Sequence, residues 1–438
     1  MKAAEHFTGV DPFRANYANA SQNDIFPSQG KNGPVAVSYN NWYSDIVLPY
    51  GKSMANLGVP VNFDPDSGNA FGTFNSATSV SRTTGRRSYA ANTYYAYNAH
   101  RPNLVVLTGA QATKINFQNA SNSKTEDLVA TGVSFVHKSQ TYTVKANKEV
   151  ILSAGENYQD HLLISIAYEL KPGSSILNYD VLRNNATFTA SAAAQYNTTH
   201  DGILSSTLSI ISFINLDYLA STSEIKNMTA QLNREIGLER LTPLQNASYG
   251  IQKRWLKEKV GLVEIIPYPG YAGIGTPKAN ASYLTFFAAV EHPFSRGNVH
   301  LNSSNPLVPP QIDPNYLSKS IDLEILVRSV KFIQRLSETE PLASMIALRQ
   351  EPAPEIASDA AIIDYIKAYF DSAYHPIGTA SLAPKIDGGV VDARLKVYGT
   401  SNVRVVDASV IPLHVGTHLQ RTVYGIAEKA AQIIKEGH

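Results

Sequence analysis

Two histidines near the end of the chain, His414 and His418, lie four positions apart in the stretch L-H-V-G-T-H-L-Q. At this spacing a helix presents two imidazoles to one zinc ion. A helical zinc pair normally reads H-E-x-x-H, with the glutamate as base, whereas V-G-T separates the histidines here. Gly416 and Pro412 also disfavour a continuous helix through His414. We therefore predict no metal site, and two hydrogen-bonded histidines near a helix start are the simplest alternative.

A third histidine, His375, offers a different chemistry for this region. It precedes Pro376, which favours an extended or turn conformation over a helix. Gly378 and the pair Gly388 and Gly389 predict tight loops in which the backbone can approach a ligand closely. Two histidines on loops can form an acid/base pair near neutral pH, as proton removal from an alcohol requires.

Other catalytic motifs have little support. The stretch G-I-G-T-P-K (273–278) resembles a phosphate loop only superficially, because it follows no clear strand and contains a proline. No G-x-S-x-G sequence occurs, so nothing favours a serine hydrolase of the nucleophile-elbow type.

Composition narrows the class of protein. The 438 residues are 43% hydrophobic and 17% charged, which is typical of a globular chain. Lys and Arg number 37 against 36 Asp and Glu, so no excess of basic charge favours a nucleic-acid partner. The most apolar long stretch, 202–220, is too polar to span a membrane. We expect a small, neutral or weakly polar ligand.

The cellular compartment has to be inferred without cysteines, since the chain contains none. Eight N-x-S/T sequons favour a secretory history and N-glycosylation, although the N-terminus shows no signal peptide. The sequons begin at Asn19, Asn119, Asn185, Asn197, Asn227, Asn246, Asn280 and Asn302.

The predicted elements alternate between sheet and helix. Two β-rich runs flank Gly109 within 103–117, a hairpin follows over 132–145, and Val150–Ser153 is predicted as a buried strand. Residues 162–280 are predicted as helices and loops, and 283–301 as two strands of an antiparallel sheet. This order predicts interleaved α/β and α+β domains.

The C-terminal third carries the strongest helical patterns. Apolar residues recur at helical spacing over 321–340, which predicts a helix with one buried face. A buried strand is predicted over 402–410, followed by a helix from about Gly416. The predicted apolar stripe of that helix comprises Leu419, Val423, Ile426, Ala427, Ala430 and Ile434.

Several ordered blocks resemble one known family, the glucose–methanol–choline (GMC) oxidoreductases. The C-terminal blocks are Y-H-P-I-G-T-A-S, V-R-V-V-D-A-S-V-I-P and H-L-Q-R-T-V-Y-G-I-A-E-K-A-A. Earlier blocks are R-P-N-L-V-V-L-T-G-A-Q-A-T-K-I, K-E-V-I-L-S-A-G, E-N-Y-Q-D-H-L and P-F-S-R-G-N-V-H-L. They cover nearly the whole chain, and they are most similar to fungal aryl-alcohol oxidases and glucose dehydrogenases.

The resemblance implies an FAD enzyme that oxidises an alcohol to a carbonyl compound. His375 would be the principal base, taking the hydroxyl proton while a hydride passes to flavin N5, and His418 would bind the substrate oxygen. Backbone contacts to FAD are implied for Ala112, Asp407, Ala408, His418, Leu419 and Gln420. The helix that follows His418 would favour negative charge on the flavin.

Two departures from the family pattern predict a shortened chain. The family's N-terminal Rossmann motif G-x-G-x-x-G, which cradles the pyrophosphate, does not occur here. The family's L-S-G-I-G stretch is also missing, because Gly155 leads directly into E-N-Y-Q-D-H. We therefore expect truncation at the N-terminus, an internal deletion after Gly155, and an incomplete FAD-binding domain.

The resemblance divides the chain into interleaved parts of two domains. Residues 1–85 and 162–372 are assigned to an antiparallel-sheet substrate domain, and 86–161 and 373–438 to the FAD domain. Many tyrosines and few charges favour an aromatic or apolar alcohol as substrate. Oxygen or a quinone would accept the electrons. Two alternatives stay open, a lyase or cyclase on the same fold and a non-catalytic remnant.

Overall fold

The computed structural model describes residues 1–8, 28–118, 127–151, 155–173, 176–208 and 210–437. The sequons at Asn19 and Asn119 and the end of the predicted strand at Ser153 lie outside these ranges.

A seven-stranded antiparallel sheet forms the largest layer of the described residues. Its strands are β3 (Gly72–Asn75), β11 (Leu162–Leu170), β12 (Ile210–Ile214), β13 (Val263–Tyr268), β14 (Tyr283–Val290), β17 (Ile346–Glu351) and β18 (Asp371–Ser372). The order is β17-β11-β14-β13-β12-β3, with β18 also paired to β11. Strand β14 pairs with β11 from Tyr283 to Val290, and nearly all of its side chains are buried.

Helices cover this sheet and complete the core. The helices of the described chain are α1 (Val47–Asn56), α2 (Ala96–Asn98), α3 (Asp180–Asn184), α4 (Ala186–Thr199), α5 (Thr222–Gly237), α6 (Pro243–Trp255), α7 (Ser320–Ser337), α8 (Asp359–Tyr369) and α9 (Gln420–Lys435). Helix α7 packs against β11 and β14 on one side and against α5 and α8 on the others. Its apolar residues recur every three or four positions, so one face, including Ile325 and Ile333, is fully buried.

Two of these helices begin with reciprocal caps. The side chain of Ser221 accepts from the backbone N–H of Glu224 at the start of α5, and the Glu224 carboxylate accepts from the backbone N–H of Ser221. Thr242 and Gln245 form the same arrangement at the start of α6, where proline is the first helical residue. These capping boxes are encoded locally, by residue types three positions apart.

Smaller sheets surround the central one. Their strands are β1 (Glu5–Thr8), β2 (Val35–Ser38), β4 (Val80–Ser81), β5 (Arg86–Arg87), β6 (Ala110–Phe117), β7 (Ala130–His137), β8 (Gln140–Lys145), β9 (Val150–Ile151), β10 (Gly155–Tyr158), β15 (Gly297–His300), β16 (Gln311–Asp313) and β19 (Val403–Arg404). Strands β6-β7-β8 and β10-β15-β16 form antiparallel three-stranded sheets, and β4 pairs with β5. Strands β1 and β2, and β9 and β19, form parallel pairs.

Several expected elements are confirmed. The hairpin is β7 and β8, the C-terminal run around Gly109 is β6, and the helix predicted from 321 is α7. The expected strand from Val150 is β9 as far as Ile151, the last described residue before the gap.

Other expectations are wrong, and each error has a tertiary cause. Strands β11, β12 and β13 lie inside the region expected to hold only helices and loops, because their apolar runs are buried on both faces and lack alternation. The run 104–107 pairs with no strand in the described ranges and is exposed. Strands β14 and β15 both exist but belong to different sheets.

The C-terminal boundaries also differ from expectation. The strand predicted over 402–410 is only β19, after which a 3-10 turn spans Ala408–Val410. Helix α9 begins at Gln420 rather than near Gly416. Of the predicted stripe, Leu419 and Ala430 are buried, whereas Ile434 is 39% exposed. Among the helices of the described ranges, none combines the length and apolarity needed to cross a bilayer.

Candidate functional site

His375 lies in a loop that follows β18 and is fixed by its backbone. The N–H of His375 donates to Oδ1 of Asp160 at 2.9 Å. Three residues later, Gly378 has a φ of +92°, and a Cβ there would lie 2.2 Å from the carbonyl O of Asn157. Only glycine permits this close approach, so the loop position depends on Gly378.

The Asp160 carboxylate also accepts from three hydroxyl groups, one of which belongs to Ser372 at the start of this loop. Its Oδ2 accepts from Tyr316 at 2.7 Å, from Tyr158 at 3.2 Å and from Ser372 at 2.5 Å. Asp160 is buried, and hydrogen bonds to a charged acceptor contribute about 1.5–3 kcal/mol each. The loop that carries His375 is therefore held in place by the buried Asp160 side chain.

His418 stands two residues before α9 and faces a carboxylate. Its Nε2 lies 3.0 Å from Oε1 of Glu264, a buried residue of β13. This carboxylate raises the pKa of His418 above its usual value, and the His418 side chain is 51% exposed. The geometry favours a cationic imidazole at this position.

The imidazoles of His375 and His418 are neighbours. Their ring centroids are 5.3 Å apart, with 44° between the ring planes. Burial lowers the pKa of His375, and the nearby charge of His418 lowers it further. The two histidines are thus tuned in opposite directions, one toward a neutral base and the other toward a cation.

His414 contacts the backbone of His375. It is buried, and its Nε2 lies 2.9 Å from the carbonyl O of His375. Burial lowers the pKa of His414 to about 4. Within the described ranges, no group of three or more His, Asp or Glu side chains is arranged to hold a metal ion.

Two cavities lie beside the loops that carry the two histidines. One of about 440 Å³ is lined by His418, Gln420 and Arg421 and by the aromatic rings of Phe74 and Phe213. Another, of about 310 Å³, is lined by residues most of which lie in the loop after His375 or at the 3-10 turn. These are Tyr158, Val299, Pro376, Ile377, Thr379, Asp407, Ala408 and Ser409.

The structure brings most of the expected flavin contacts to this place. Asp407 caps the 3-10 turn, its Oδ1 accepting from the backbone N–H of Ser409 at 2.8 Å, and Ala408 lines the smaller cavity. Leu419 is buried at the start of α9, and Gln420 lines the larger cavity. Ala112 lies elsewhere, on β6 of the three-stranded sheet, and its side chain is exposed.

The start of α9 fits the redox end of a flavin. The residue at its N-cap, Leu419, makes no side-chain capping bond, so the N-cap side chain leaves the first N–H groups of the helix without an acceptor. The positive end of this 16-residue helix suits a group that gains negative charge. His418, Leu419 and Gln420, together with the Asp407–Ala408 backbone, would hold that end of FAD.

Sequence reasoning missed four buried ionisable residues around the pair: Asp160, His161, Glu264 and Glu291. The first two belong to the Q-D-H motif, which indicates the family but does not reveal the roles of its residues. Glu264 lies within an apolar strand, and Glu291 directly follows another. A carboxylate in an otherwise apolar run was the available signal.

Comparisons with known proteins identify the family of the chain. Residues 36–167 match the N-terminal model, and 293–427 the C-terminal model, of the GMC oxidoreductases. A dehydrogenase of Armillaria gallica is 32% identical over 445 residues, covering 93% of this chain and 69% of the relative. A GMC oxidoreductase family protein of Malassezia sympodialis is 31% identical, covering 99% of this chain and 72% of the relative.

Solved structures share the fold. An FAD-dependent oxidoreductase from Chaetomium thermophilum matches with a TM-score of 0.86 at 24% identity, covering 100% of this chain and 79% of that one. A fungal aryl-alcohol oxidase matches with a TM-score of 0.83 at 24% identity, covering 100% and 78%. The chain therefore belongs to the GMC oxidoreductases, a family of FAD-dependent enzymes.

Proposed function

We propose that this protein oxidises a small alcohol to the corresponding carbonyl compound, with His375 as the base and His418 as the group that binds the substrate oxygen. The observation that carries the proposal is the pair itself: two imidazoles 5.3 Å apart whose pKa values are moved in opposite directions. When bound, FAD supplies the hydride acceptor.

The protein's part in the reaction is proton management. A neutral His375 takes the hydroxyl proton, and a cationic His418 stabilises the negative charge that develops on the substrate oxygen. Glu264 keeps His418 charged, and the Asp160 hydrogen bond keeps the His375 loop in place. The side chains are therefore organised before substrate arrives, which lowers the reorganisation cost of the reaction.

The lining of the larger cavity supports an aromatic or apolar alcohol as substrate. Together with polar and charged residues that include His418, Gln420 and Arg421, its wall contains Phe74 and Phe213, whose rings stack with centroids 5.9 Å apart. Nearby apolar residues of the same wall are Ala70, Leu208 and Ile211. Such apolar residues bind by burial of apolar surface, and His418, which lines the same cavity, is available to the hydroxyl group.

The test compares two histidine variants after the protein has been supplied with FAD. An aromatic alcohol should bleach the flavin absorption, and His375→Asn should slow bleaching by roughly 10²- to 10⁴-fold. His418→Asn should also slow it, through loss of charge on the group that binds oxygen. The control is His137→Asn, on the β7–β8 hairpin, which should bleach at the parent rate.

Three outcomes would contradict the proposal. Equal bleaching rates in the parent and in His375→Asn would show that His375 is not the base. Consumption of an alcohol with an unchanged flavin spectrum would favour a lyase or cyclase, and failure of the folded protein to take up FAD would indicate a non-catalytic remnant. Repeating the oxidation with oxygen and then with a quinone identifies the electron acceptor.

We also propose that the protein is N-glycosylated and secreted. The asparagines of all six sequons in the described ranges are exposed to solvent, as glycan attachment requires. They are Asn185, Asn197, Asn227, Asn246, Asn280 and Asn302. Protein isolated from its natural source should lose mass on treatment with an N-glycosidase, and an unchanged mass would contradict this proposal.

A further inference from the structure

Behind the His375–His418 pair lies a line of buried groups that the proposed function leaves unused. His161 and Glu291 are 1% and 0% exposed, and neither can reach solvent. His161 directly precedes β11, and Glu291 directly follows β14, the partner of β11. The pairing of these two strands brings a histidine and a carboxyl group together at the end of the central sheet.

The distances trace a path from His375 into the core. Nδ1 of His375 lies 3.1 Å from Nδ1 of His161, and Nε2 of His161 lies 3.4 Å from Oε2 of Glu291. The first contact has hydrogen-bond geometry. The second does not, and neither carboxyl oxygen of Glu291 has another hydrogen-bond partner within the described residues. A small rotation of the carboxyl group would complete the path.

The tautomers of the two imidazoles are coupled by this arrangement. If Nε2 of His375 is to accept a proton, its Nδ1 carries the hydrogen and donates to Nδ1 of His161. His161 then carries its hydrogen on Nε2, which faces Glu291. An ionised Glu291 accepts from that N–H, whereas a protonated Glu291 donates to Nε2 and reverses both tautomers.

We propose that His161 and Glu291 form a buried proton relay that sets the tautomer of His375 and takes up the proton that His375 removes from substrate. The inference rests on the proposed function of His375. The substrate O–H bond breaks as an N–H bond forms at Nε2 of His375. The Nδ1 hydrogen of His375 moves to Nδ1 of His161, and the Nε2 hydrogen of His161 moves to Glu291. Both imidazoles stay neutral, and one proton reaches the carboxyl group.

The electrostatic surroundings favour this direction of transfer. Burial raises the pKa of Glu291 well above its usual value, and the negative charge of Glu264 raises it further. Burial lowers the pKa of His161, with smaller contributions from the neighbouring histidines. Both shifts act in the direction that favours a proton on Glu291 over a proton on His161. The ionisable groups around the two relay residues are Asp160, Glu264, His292, His375, His414 and His418.

The same coupling gives a pH dependence with a defined sign. Nε2 of His375 is free to accept a proton only while Glu291 is ionised, so the base form is favoured as pH rises through the raised pKa of Glu291. His161 and Glu291 are positioning residues in this scheme, because both act through His375.

The first experiment needs neither FAD nor an alcohol. Protein labelled with ¹⁵N in its imidazole rings is titrated, and the ring shifts report which nitrogen carries hydrogen. In the parent, His375 and His161 should exchange tautomers together with pH. In Glu291→Gln, both tautomers should stay fixed, because an amide does not ionise. Identical titrations in the two proteins would overturn the relay.

A second measurement observes the carboxyl group directly. Infrared spectra should show a protonated-acid C=O band that grows as pH falls and is lost in Glu291→Gln. The matched control is Asp322→Asn, which replaces another fully buried carboxyl group, at the start of α7, and should keep this band. A band that survives in Glu291→Gln would contradict the assignment, and circular dichroism verifies that both variants fold.

The third measurement connects the relay to turnover. With FAD and an alcohol, Glu291→Gln should lower kcat by at least roughly tenfold, leave KM near the parent value, and remove the pH dependence of kcat. Flavin bleaching in the parent tests the proposed function independently. Suppose that the parent bleaches and that Glu291→Gln shows the same pH profile of kcat as the parent. That result would refute the relay and leave the proposed function standing.

Discussion

The central sheet and the three-stranded sheet β6-β7-β8 show how differently one chain can use its strands. Strand β14 is buried along nearly its whole length, whereas all six residues of β8 are exposed. Helix α7 covers β11 and β14, while the outer sheet contributes only a few residues of β6 and β7 to a small apolar cluster with β9 and β19. The histidine pair depends on the covered sheet, because Glu264 belongs to it and Glu291 directly follows one of its strands.

The candidate site is therefore positioned by the buried, helix-covered sheet and not by the exposed one. His375 is held by Asp160, next to the start of β11, and His418 by Glu264 on β13. Ala112, the expected contact to the adenine end of FAD, belongs to the exposed sheet. We therefore expect the acid/base pair to be rigid, and the residues around Ala112 to tolerate substitution.

The largest effect should come from a cavity in the central sheet. Phe286 on β14 is fully buried between the rings of Tyr50 and Tyr168. Phe286→Ala should lower the free energy of unfolding by about 3–5 kcal/mol, measured by urea denaturation. The matched change on the exposed sheet, Val144→Ala, should stay within about 0.5 kcal/mol. Similar losses for both variants would contradict the contrast between the sheets.

The next effect is the pH dependence of stability, which the buried histidines determine. Burial lowers the pKa of His292 to about 3 and that of His414 to about 4, so both are neutral in the folded protein while the unfolded chain takes up protons below about pH 6.5. Each contributes a loss of about 1.4 kcal/mol per pH unit as pH falls through this window. His161 adds to the loss, and Glu291 offsets it with the opposite sign.

The net expectation is that the free energy of unfolding falls by about 3 kcal/mol per unit between roughly pH 6 and 5, measured by denaturation at each pH. The variant His292→Gln should remove about half of that slope. His137→Asn, on the exposed sheet, should leave the slope unchanged. A stability that is constant over this pH window would show that the buried histidines do not control it.

The smallest effect concerns a helix cap beside the covered sheet. Ser221→Ala removes the side chain that accepts from the N–H of Glu224, and should lower the free energy of unfolding by about 1 kcal/mol. Thr222→Ala, one position later, is the control and should have little effect. Equal losses in both variants would indicate that the capping bond contributes nothing.

Local patterns in the sequence predicted part of the fold well. The hairpin of β7 and β8 follows from alternation, and α7 from apolar residues at helical spacing. Strands β11 to β13 were missed because strands buried on both faces do not alternate, and only their neighbours distinguish them from buried helix segments. The start of α9 was placed too early, since nothing local marks it: Leu419 makes no capping bond.

For the site, the sequence determined which residues are candidates. The motifs around His375 and His418, with the letters V-V-D-A-S and H-L-Q, were sufficient to name the family and the pair. These assignments follow from residue types at fixed spacing, which can be read directly from the linear sequence. The roles of the individual residues stay predictions for the variants described above.

Only the tertiary structure decided what surrounds that pair. His161, Glu264 and Glu291 are far apart in sequence from His375 and His418, and strand pairing within one sheet places them within a few ångströms of each other. Burial and neighbouring charge, which move the pKa values of these groups, exist only once the core has formed. The sequence alone determined which histidines are candidates for the acid/base pair, and the packing of the sheet decided which groups surround each of them and in which direction each pKa moves.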